Sequence, residues 1–259
     1  MKRSRAGAEA IERPAMPDGA GVPRDLSGVA PDIAATVLSD QSRARLRALD
    51  ANSLPVRGGS LRLGSWVGSV GKNICIGLNY SDPAAQTGSS VPPEPIFFLK
   101  SPKAACGPDD MVLSPRGSEK TDWEAEPGVI IGTKARYMSD AGALSHVAGN
   151  CGANDEFEPA FQLERGGQWT KGKSCDTFAP LRPWLVTRDE VADPQDLAMW
   201  CDVDGHRYQD GSPGTMVFGV AHLVSYVSPF MTPMPGDVIS AGTPCGLGLG
   251  QKPPLYLKA

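Results

Sequence analysis

Three acidic residues alternate along one short stretch of the sequence. Asp122, Glu124 and Glu126 are separated by single residues, and the apolar run 129–131 follows them. Alternate side chains of a β-strand share a face, so we expect the three carboxylates on one side. Like charges this close raise one another's pKa unless a cation compensates them, and oxygen ligands suit Mg²⁺ or Ca²⁺. The pattern therefore indicates a metal site, with a solvated edge strand as the alternative left open.

A second chemical motif, residues 167–174, matches the phosphate-binding pattern GxxxxGK[ST] in full. That pattern binds phosphate only between a buried strand and a helix. The preceding residues are polar at alternate positions, and Pro180 and Pro183 prevent a useful helix afterwards. We therefore do not expect a nucleotide site. Lys173 is interpreted either as a substrate-facing cation or as part of an ordinary surface loop.

Periodicity predicts the elements that must position these groups. Helices are expected at 31–50, with a break near Ser39, and at 139–148 and 217–230. Strands are expected at 74–78, 96–99, 122–131, 184–187, 198–203 and 238–241, with further small strands in 51–72. Residues 1–24 are polar and contain three prolines, so they are predicted to form a flexible tail. The balance predicts a β-rich α+β fold.

Composition narrows the function classes. The 259 residues include 30 Gly and 24 Pro, which favours a turn-rich fold over a helical bundle. The net charge is −4, without a basic stripe, so neither nucleic acid nor an anionic membrane is an expected partner. Six scattered cysteines, no CxxC pair and no apolar leader favour reduced thiols and a cytoplasmic location. The three histidines are widely scattered in the sequence and do not favour a zinc site.

Several segments together resemble the fumarylacetoacetate hydrolase family. The resemblance is carried by residues 76–80, 115–120, 122–126, 153–155, 162–174 and 236–244. Residues 205–211 and 219–226 fit the bacterial branch of 2,4-diketo-3-deoxy-sugar-acid hydrolases, some of whose members are named ureidoglycolate lyases. The resemblance implies a mixed β-roll of the family's C-terminal domain type at 73–259, a small N-terminal segment at 25–72, and a homodimer. It also implies that relatives continue beyond the end of this chain.

The resemblance also implies a set of site residues. Mg²⁺, Mn²⁺ or Ca²⁺ would be held by Glu124, Glu126 and Asp155. Tyr80, Gln162, Lys173 and Thr243 match substrate-binding positions, and Lys173 also matches a catalytic one. These residues imply a metal-dependent hydrolase of C–C bonds in small β-diketo or oxo acids, of the acylpyruvate or 2,4-diketo-3-deoxy acid type.

Four positions depart from the family pattern. Pro83 and Gln86 stand where the family has a His and a Glu that activate water, and Asp82 is a candidate substitute base. Pro159 replaces an Arg, and Pro127 lies within the metal strand, where proline is poorly tolerated. The alternatives are therefore a weak or inactive member, or a lyase, decarboxylase or isomerase of related oxo acids.

Overall fold

A computed structural model of the chain describes residues 2–9, 11–58, 62–81 and 91–258. Within them lie thirteen strands. They are β1 Lys2–Ala6, β2 Arg13–Pro17, β3 Pro23–Asp25, β4 Asn73–Gly77, β5 Ile96–Lys100, β6 Ala105–Cys106, β7 Ala125–Ile131, β8 Val147–Asn154, β9 Ala179–Pro180, β10 Leu185–Thr187, β11 Met199–Val203, β12 His206–Gly211 and β13 Val238–Ser240. The α-helices described are α1 Asp40–Arg47, α2 Asp140–Ala143, α3 Pro159–Leu163, α4 Thr170–Lys173 and α5 Val220–Val227.

Nine of these strands form one mixed sheet, in the order β3-β2-β1-β10-β8-β7-β13-β4-β5. Strands β13 and β4 run parallel, whereas β7 is antiparallel to both of its neighbours, β8 and β13. Strands β11 and β12 make a separate antiparallel hairpin, and β6 pairs with β9. The prediction of a β-rich α+β fold is confirmed.

Apolar packing covers both faces of the sheet. Helix α5 buries its i, i+3, i+4 and i+7 positions against one face, using Val220, Leu223, Val224 and Val227. Leu46 of α1 belongs to the cluster on the other face, together with Trp66. The sheet is therefore a rigid support for side chains at its strand ends. None of the described helices is both long and apolar enough to cross a membrane.

The predicted helices are confirmed with shorter bounds. The break near Ser39 is a helix start, because the Ser39 hydroxyl oxygen accepts a hydrogen bond from Ser42 N–H and caps α1. The helix predicted at 139–148 is wrong in its second half: α2 ends at Ala143, a 3₁₀ turn follows, and β8 starts at Val147.

The flexible tail predicted for residues 1–24 is a wrong prediction, because β1, β2 and the start of β3 lie there. Buried Ala6 and Ala15 face the interior where larger apolar residues would have been recognised. Pro17 ends β2 and Pro23 begins β3, both at positions where a strand tolerates proline. Within the described parts of 51–72 the expected small strands are also wrong, since Val56 and Leu63 form only isolated bridges to the N-terminal strands; Leu61 lies outside the described residues.

Candidate metal centre and active site

Two neighbouring strands bring three carboxylates together. Strand β7 starts where β8 ends, and Ala125 lies opposite Asn154. The pairing extends one step further, because Asp155 N–H donates to the Glu124 carbonyl oxygen over 2.9 Å. Carboxylate oxygens of Glu124, Glu126 and Asp155 consequently lie within 4.8 Å of one another.

Asp122 does not join this cluster, which corrects the prediction of three acids on one face. Strand β7 begins only at Ala125, and the Asp122 carboxylate accepts hydrogen bonds from backbone N–H groups of Trp123, Gly248 and Leu249. The acid therefore anchors the glycine-rich segment 246–250. Burial outweighs these bonds and raises the pKa of Asp122 to about 6.

Two buried lysines neutralise part of the cluster. Lys173 Nζ donates to Glu124 Oε2 over 2.7 Å and lies 3.1 Å from Asp155 Oδ2. Lys100 Nζ bonds Asp155 Oδ1 and donates to the Glu156 carbonyl oxygen over 2.7 Å. Both lysines are about 98% buried. The arrangement places positive charge directly against the carboxylates, and Lys173 is buried rather than part of a surface loop. Its catalytic and substrate-binding roles stay predictions.

Burial and charge perturb every acid of the cluster. Burial raises the pKa of Glu124 despite Lys173, and burial with the neighbouring Asp155 and Glu124 charges holds the pKa of Glu126 well above its usual range. Burial would also raise the pKa of Asp155, but Lys100 and Lys173 outweigh it and lower that pKa. The site therefore favours the ionised form most strongly at Asp155.

The donor set fits a hard divalent ion. All three groups supply carboxylate oxygens, the ligands that Mg²⁺, Mn²⁺ and Ca²⁺ take in proteins. Asp155 Oδ2 is buried and makes no well-aligned hydrogen bond with any residue that the structure describes. Glu124, Glu126 and Asp155 would hold the ion, as the sequence resemblance implies.

The other residues expected at the site lie around the cluster. Tyr80 is 1% exposed, and burial together with the Glu126 charge raises the pKa of its hydroxyl. Gln162 lies on α3, where its Cβ faces Gly172, the residue before Lys173. Neither the Tyr80 hydroxyl nor Gln162 Oε1 has a hydrogen-bond partner among the described residues. The substrate-binding roles that the resemblance implies for Tyr80 and Gln162 stay predictions.

Thr243 lies beside the strand rather than free in the site. Its hydroxyl donates to the Ala125 carbonyl oxygen over 2.8 Å and accepts from Gln209 Nε2 over 2.7 Å. The Thr243 side chain is thus bonded to the backbone of Ala125, the residue that lies between Glu124 and Glu126. These two hydrogen bonds are structural contacts of Thr243, while the substrate contact implied by the resemblance stays a prediction.

Four polar residues to which the sequence analysis assigned no role pack around the carboxylates; Lys100, Glu156 and Gln209 are buried, and Asn154 is half-buried. Lys100 ends the apolar run of β5, which was its only sequence signal. Asn154 Oδ1 accepts from Glu124 N–H over 2.9 Å, and its amide donates to Glu156 over 2.7 Å. Burial raises the pKa of Glu156 to about 8. Gln209 comes from the separate β11–β12 hairpin; the segment 205–211 fits the family branch, but that match assigned Gln209 no role at the site.

The prolines that depart from the family pattern are accommodated where the structure describes them. The Pro127 carbonyl oxygen accepts from Ala241 N–H over 3.0 Å, so its missing N–H points to the side where β13 ends at Ser240. Pro127 therefore does not remove a hydrogen bond from the ladder between β7 and β13. Pro159 occupies the first turn of α3, which suits its fixed φ. Asp82, Pro83 and Gln86 lie outside the described residues.

The phosphate-binding motif at 167–174 has no phosphate-binding geometry. Helix α4 is four residues long, the short helix α3 precedes the motif in place of a strand, and Lys173 is bonded to carboxylates. These residues therefore lack the strand–loop–helix setting in which this motif binds phosphate.

Comparison with known proteins agrees with the fold. The family described as fumarylacetoacetate (FAA) hydrolase C-terminal matches residues 72–259. A Burkholderia cenocepacia protein provisionally named a hydrolase is 55% identical over 260 aligned residues, which cover all of this chain and 92% of that protein.

Two solved structures are also similar. A fumarylacetoacetate hydrolase from Exiguobacterium antarcticum is 31% identical, with a TM-score of 0.86 over all of this chain and 92% of the other. A maleylpyruvate hydrolase from a Sphingobium species, solved with manganese(II) and pyruvate, is 25% identical, with a TM-score of 0.79 over 96% of this chain and 90% of the other. With a family match across most of its length and a relative 55% identical over all of it, the chain belongs to the fumarylacetoacetate hydrolase family.

Proposed function

We propose that this chain is a divalent-metal-dependent hydrolase that cleaves C–C bonds in small β-diketo or oxo acids. The observation that carries the proposal is the buried group of Glu124, Glu126 and Asp155, with Lys173 bonded to two of the three. The hydrolase names of its relatives and the manganese and pyruvate in the Sphingobium enzyme support it. Within this class we propose acylpyruvates or 2,4-diketo-3-deoxy acids as substrates.

The metal would supply one part of the chemistry. A divalent ion bound here would act as a Lewis acid toward the oxo and carboxylate oxygens of the substrate. The remaining parts belong to the chain itself. The Lys173 ammonium adds a fixed positive charge beside the position where negative charge develops on the substrate.

Further side chains would bind and orient the substrate. The Tyr80 hydroxyl can donate one hydrogen bond to a substrate oxygen, while Gln162 Oε1 can accept one from a substrate hydroxyl. Both groups are buried, so a substrate that satisfies them removes the free-energy cost of leaving them unpaired. This favours small, oxygen-rich acids over apolar ligands.

The test is a metal-dependent assay of the purified chain. We expect pyruvate or another oxo acid to be released from acylpyruvates or 2,4-diketo-3-deoxy acids with Mn²⁺ or Mg²⁺, and turnover to stop with a chelator. Glu124→Gln removes one ligand charge at constant shape and should abolish turnover and weaken Mn²⁺ binding. Glu164→Gln, at an exposed carboxylate paired with Lys120, is the matched control and should change neither.

An isomerase of related oxo acids is the second candidate. Pro83 and Gln86 replace the His and Glu that activate water, and isomerisation depends less on that pair than hydrolysis does. Rearranged product without C–C cleavage in the same assay would favour this candidate. Absence of any metal-dependent turnover would contradict both functions.

A further inference from the structure

On the β13 side of β7, the N–H and C=O of Ala125 lack a strand partner, although Ala125 pairs with Asn154 of β8 on the other side. These two groups point to the β13 side, but the register with β13 stops at Gly128 and Ser240. Beyond Ala241 the chain turns away at Gly242, whose φ of +101° belongs to the left-handed region. Ala125 is the residue between Glu124 and Glu126, so unpaired backbone here would leave both ligands poorly held.

Two side chains take the place of the missing strand. Gln209 Oε1 accepts from Ala125 N–H over 2.9 Å, and the Thr243 hydroxyl donates to the Ala125 carbonyl oxygen over 2.8 Å. Gln209 Nε2 also donates to the Thr243 hydroxyl oxygen over 2.7 Å and to the Pro244 carbonyl oxygen over 3.0 Å. The Gln209 amide therefore joins strand β7 to the segment 242–244.

The second segment is itself bonded to a ligand. Gly242 N–H donates to Glu126 Oε2 over 3.1 Å, so a shift of this segment would move the Glu126 carboxylate. Gln209 is fully buried, and both atoms of its amide are used. One amide thus fixes the backbone between the two glutamates and the loop that holds one of them.

We propose that Gln209 is a positioning residue of the metal centre, acting through Ala125 and Thr243. This inference rests on the proposed function, because it concerns the metal that this function requires. It makes the β11–β12 hairpin, which lies outside the main sheet, a part of the site. Groups that orient metal ligands from behind typically change metal affinity by about 10–100-fold when they are removed.

A purely structural role is the competing explanation, and the chain offers a matched control for it. Gln195 also uses both atoms of its amide on the backbone: it accepts from Val220 N–H over 2.7 Å and donates to the Pro213 carbonyl oxygen over 3.1 Å. These bonds hold the start of α5 rather than a carboxylate ligand. Loss of either amide should lower stability, but only loss of Gln209 should weaken metal binding.

The experiment measures Mn²⁺ binding to the full chain by isothermal titration, with thermal denaturation in parallel. Gln209→Met keeps the volume and removes the hydrogen bonds, and we expect its Kd for Mn²⁺ to rise about 10–100-fold. Gln195→Met should lower the melting temperature and leave the Kd unchanged. Thr243→Val, a milder second variant, should also raise the Kd, and less than additively with Gln209→Met.

Each outcome decides between the explanations. An unchanged Kd in Gln209→Met, with Mn²⁺ still bound by the parent, would overturn the positioning role and leave the proposed function intact. If Gln209→Met does not fold, an unchanged Kd in Thr243→Val would overturn it. A parent chain that binds no Mn²⁺ would contradict the proposed function first and this inference with it.

Discussion

At the scale of single residues, charge balance governs the site. Glu124, Glu126 and Asp155 would bring three negative charges together, and Lys173 and Lys100 supply two positive ones. A buried cation is tolerated only where its hydrogen bonds and partners outweigh the loss of water. Lys173 satisfies this condition through Glu124 and Asp155, and its ammonium also lies 4.3 Å from the centre of the Phe157 ring. The lysine therefore stabilises the metal-free cluster.

Replacement of this lysine gives a prediction at the residue scale. Lys173→Met leaves the carboxylates with Lys100 alone, and breaking a buried pair typically costs about 3–5 kcal/mol. We expect the metal-free variant to unfold at a lower temperature than the parent. Mn²⁺ should raise the melting temperature of the variant more than that of the parent, because the ion replaces the missing charge and meets no competing ammonium.

A neighbouring lysine provides the control for this comparison. Lys171 lies on the same short helix but is exposed and donates only to the Arg165 carbonyl oxygen, over 2.7 Å. Lys171→Met should match the parent with and without Mn²⁺. Equal Mn²⁺-induced shifts in the parent and in Lys173→Met would show that the ammonium does not contact the metal site.

At the scale of elements, the sequence predicted those parts whose side chains follow a period. Helix α5 and strands β4, β5 and β7 have clear apolar patterns and were found. Glu124, Glu126, Asp155 and Lys173 came from motif resemblance, and the structure brings them together. Resemblance thus predicted most of the candidate site residues, while periodicity predicted most of the strands and helices that position them.

The longest described strand, β8, was missed for a physical reason. It is rich in Gly and Asn, which usually indicate turns. A Cβ on Gly149 would lie 2.1 Å from the Val186 carbonyl oxygen, and one on Gly152 would meet Arg182. The close approach of neighbouring atoms therefore requires glycine within this strand, although glycine usually indicates a loop. Gln209 could not be predicted because its partners are 84 and 34 residues away in the chain.

The N-terminal strands give a prediction at the scale of elements. Met16 of β2 is 6% exposed and belongs to the core cluster that contains Leu26 and Trp66. Met16→Asp should lower the free energy of unfolding by about 2–5 kcal/mol from lost burial alone, and the buried carboxylate adds to this loss. Urea denaturation of the full chain measures the change.

The same β1–β2 hairpin contains its own control. Ile11 lies between the two strands and is 71% exposed, so Ile11→Asp should change stability by no more than about 0.5 kcal/mol. Equal stability of Met16→Asp and Ile11→Asp would mean that residues 2–25 do not pack on the rest of the chain.

At the scale of the whole molecule, the N-terminal strands need a second attachment. Among the described residues, the ladder between β1 and β10 consists of the two pairs Lys2–Val186 and Arg3–Leu185. Arg62 adds a polar clamp: it donates to both Asp110 oxygens and to Glu12 Oε1, each over 2.6 Å. Glu12 lies beside the N-terminal strands, and Asp110 follows β6 in the body of the protein. The clamp borders a cavity of about 600 Å³.

This clamp makes stability depend on pH in a direction that can be derived. Burial would raise the pKa of Asp110 and of Glu12, but the hydrogen bonds and charge of Arg62, joined by Gly107 N–H at Asp110 and by Arg5 at Glu12, together outweigh burial and lower both values. A carboxyl whose pKa is lower in the folded state contributes stability at pH values above its unfolded-state pKa, which is about 4. That contribution is lost as the pH falls through the folded-state values.

Removal of the guanidinium should therefore be costly at neutral pH and nearly neutral in acid. Arg62→Met should lower the free energy of unfolding at pH 7 by about 1–3 kcal/mol, the range for hydrogen bonds to charged groups that lose a buried partner. The difference from the parent should shrink as the pH falls below about 5, and it should vanish only below the folded-state pKa values, where both carboxyls are protonated with or without Arg62. Urea denaturation across this pH range measures both quantities.

Arg207 is the matched control, because it donates to both oxygens of Asp202 in the same forked manner. That pair is 47% and 44% exposed, so water and salt screen it, and Arg207→Met should leave the free energy of unfolding close to that of the parent at any pH. A loss in Arg62→Met that stays constant between neutral and acid pH would contradict the clamp, since packing of the arginine stem alone has no reason to titrate. A loss of stability in Arg62→Met that disappears in acid would show that the ion pairs of Arg62 hold the N-terminal strands to the sheet that carries the carboxylate cluster.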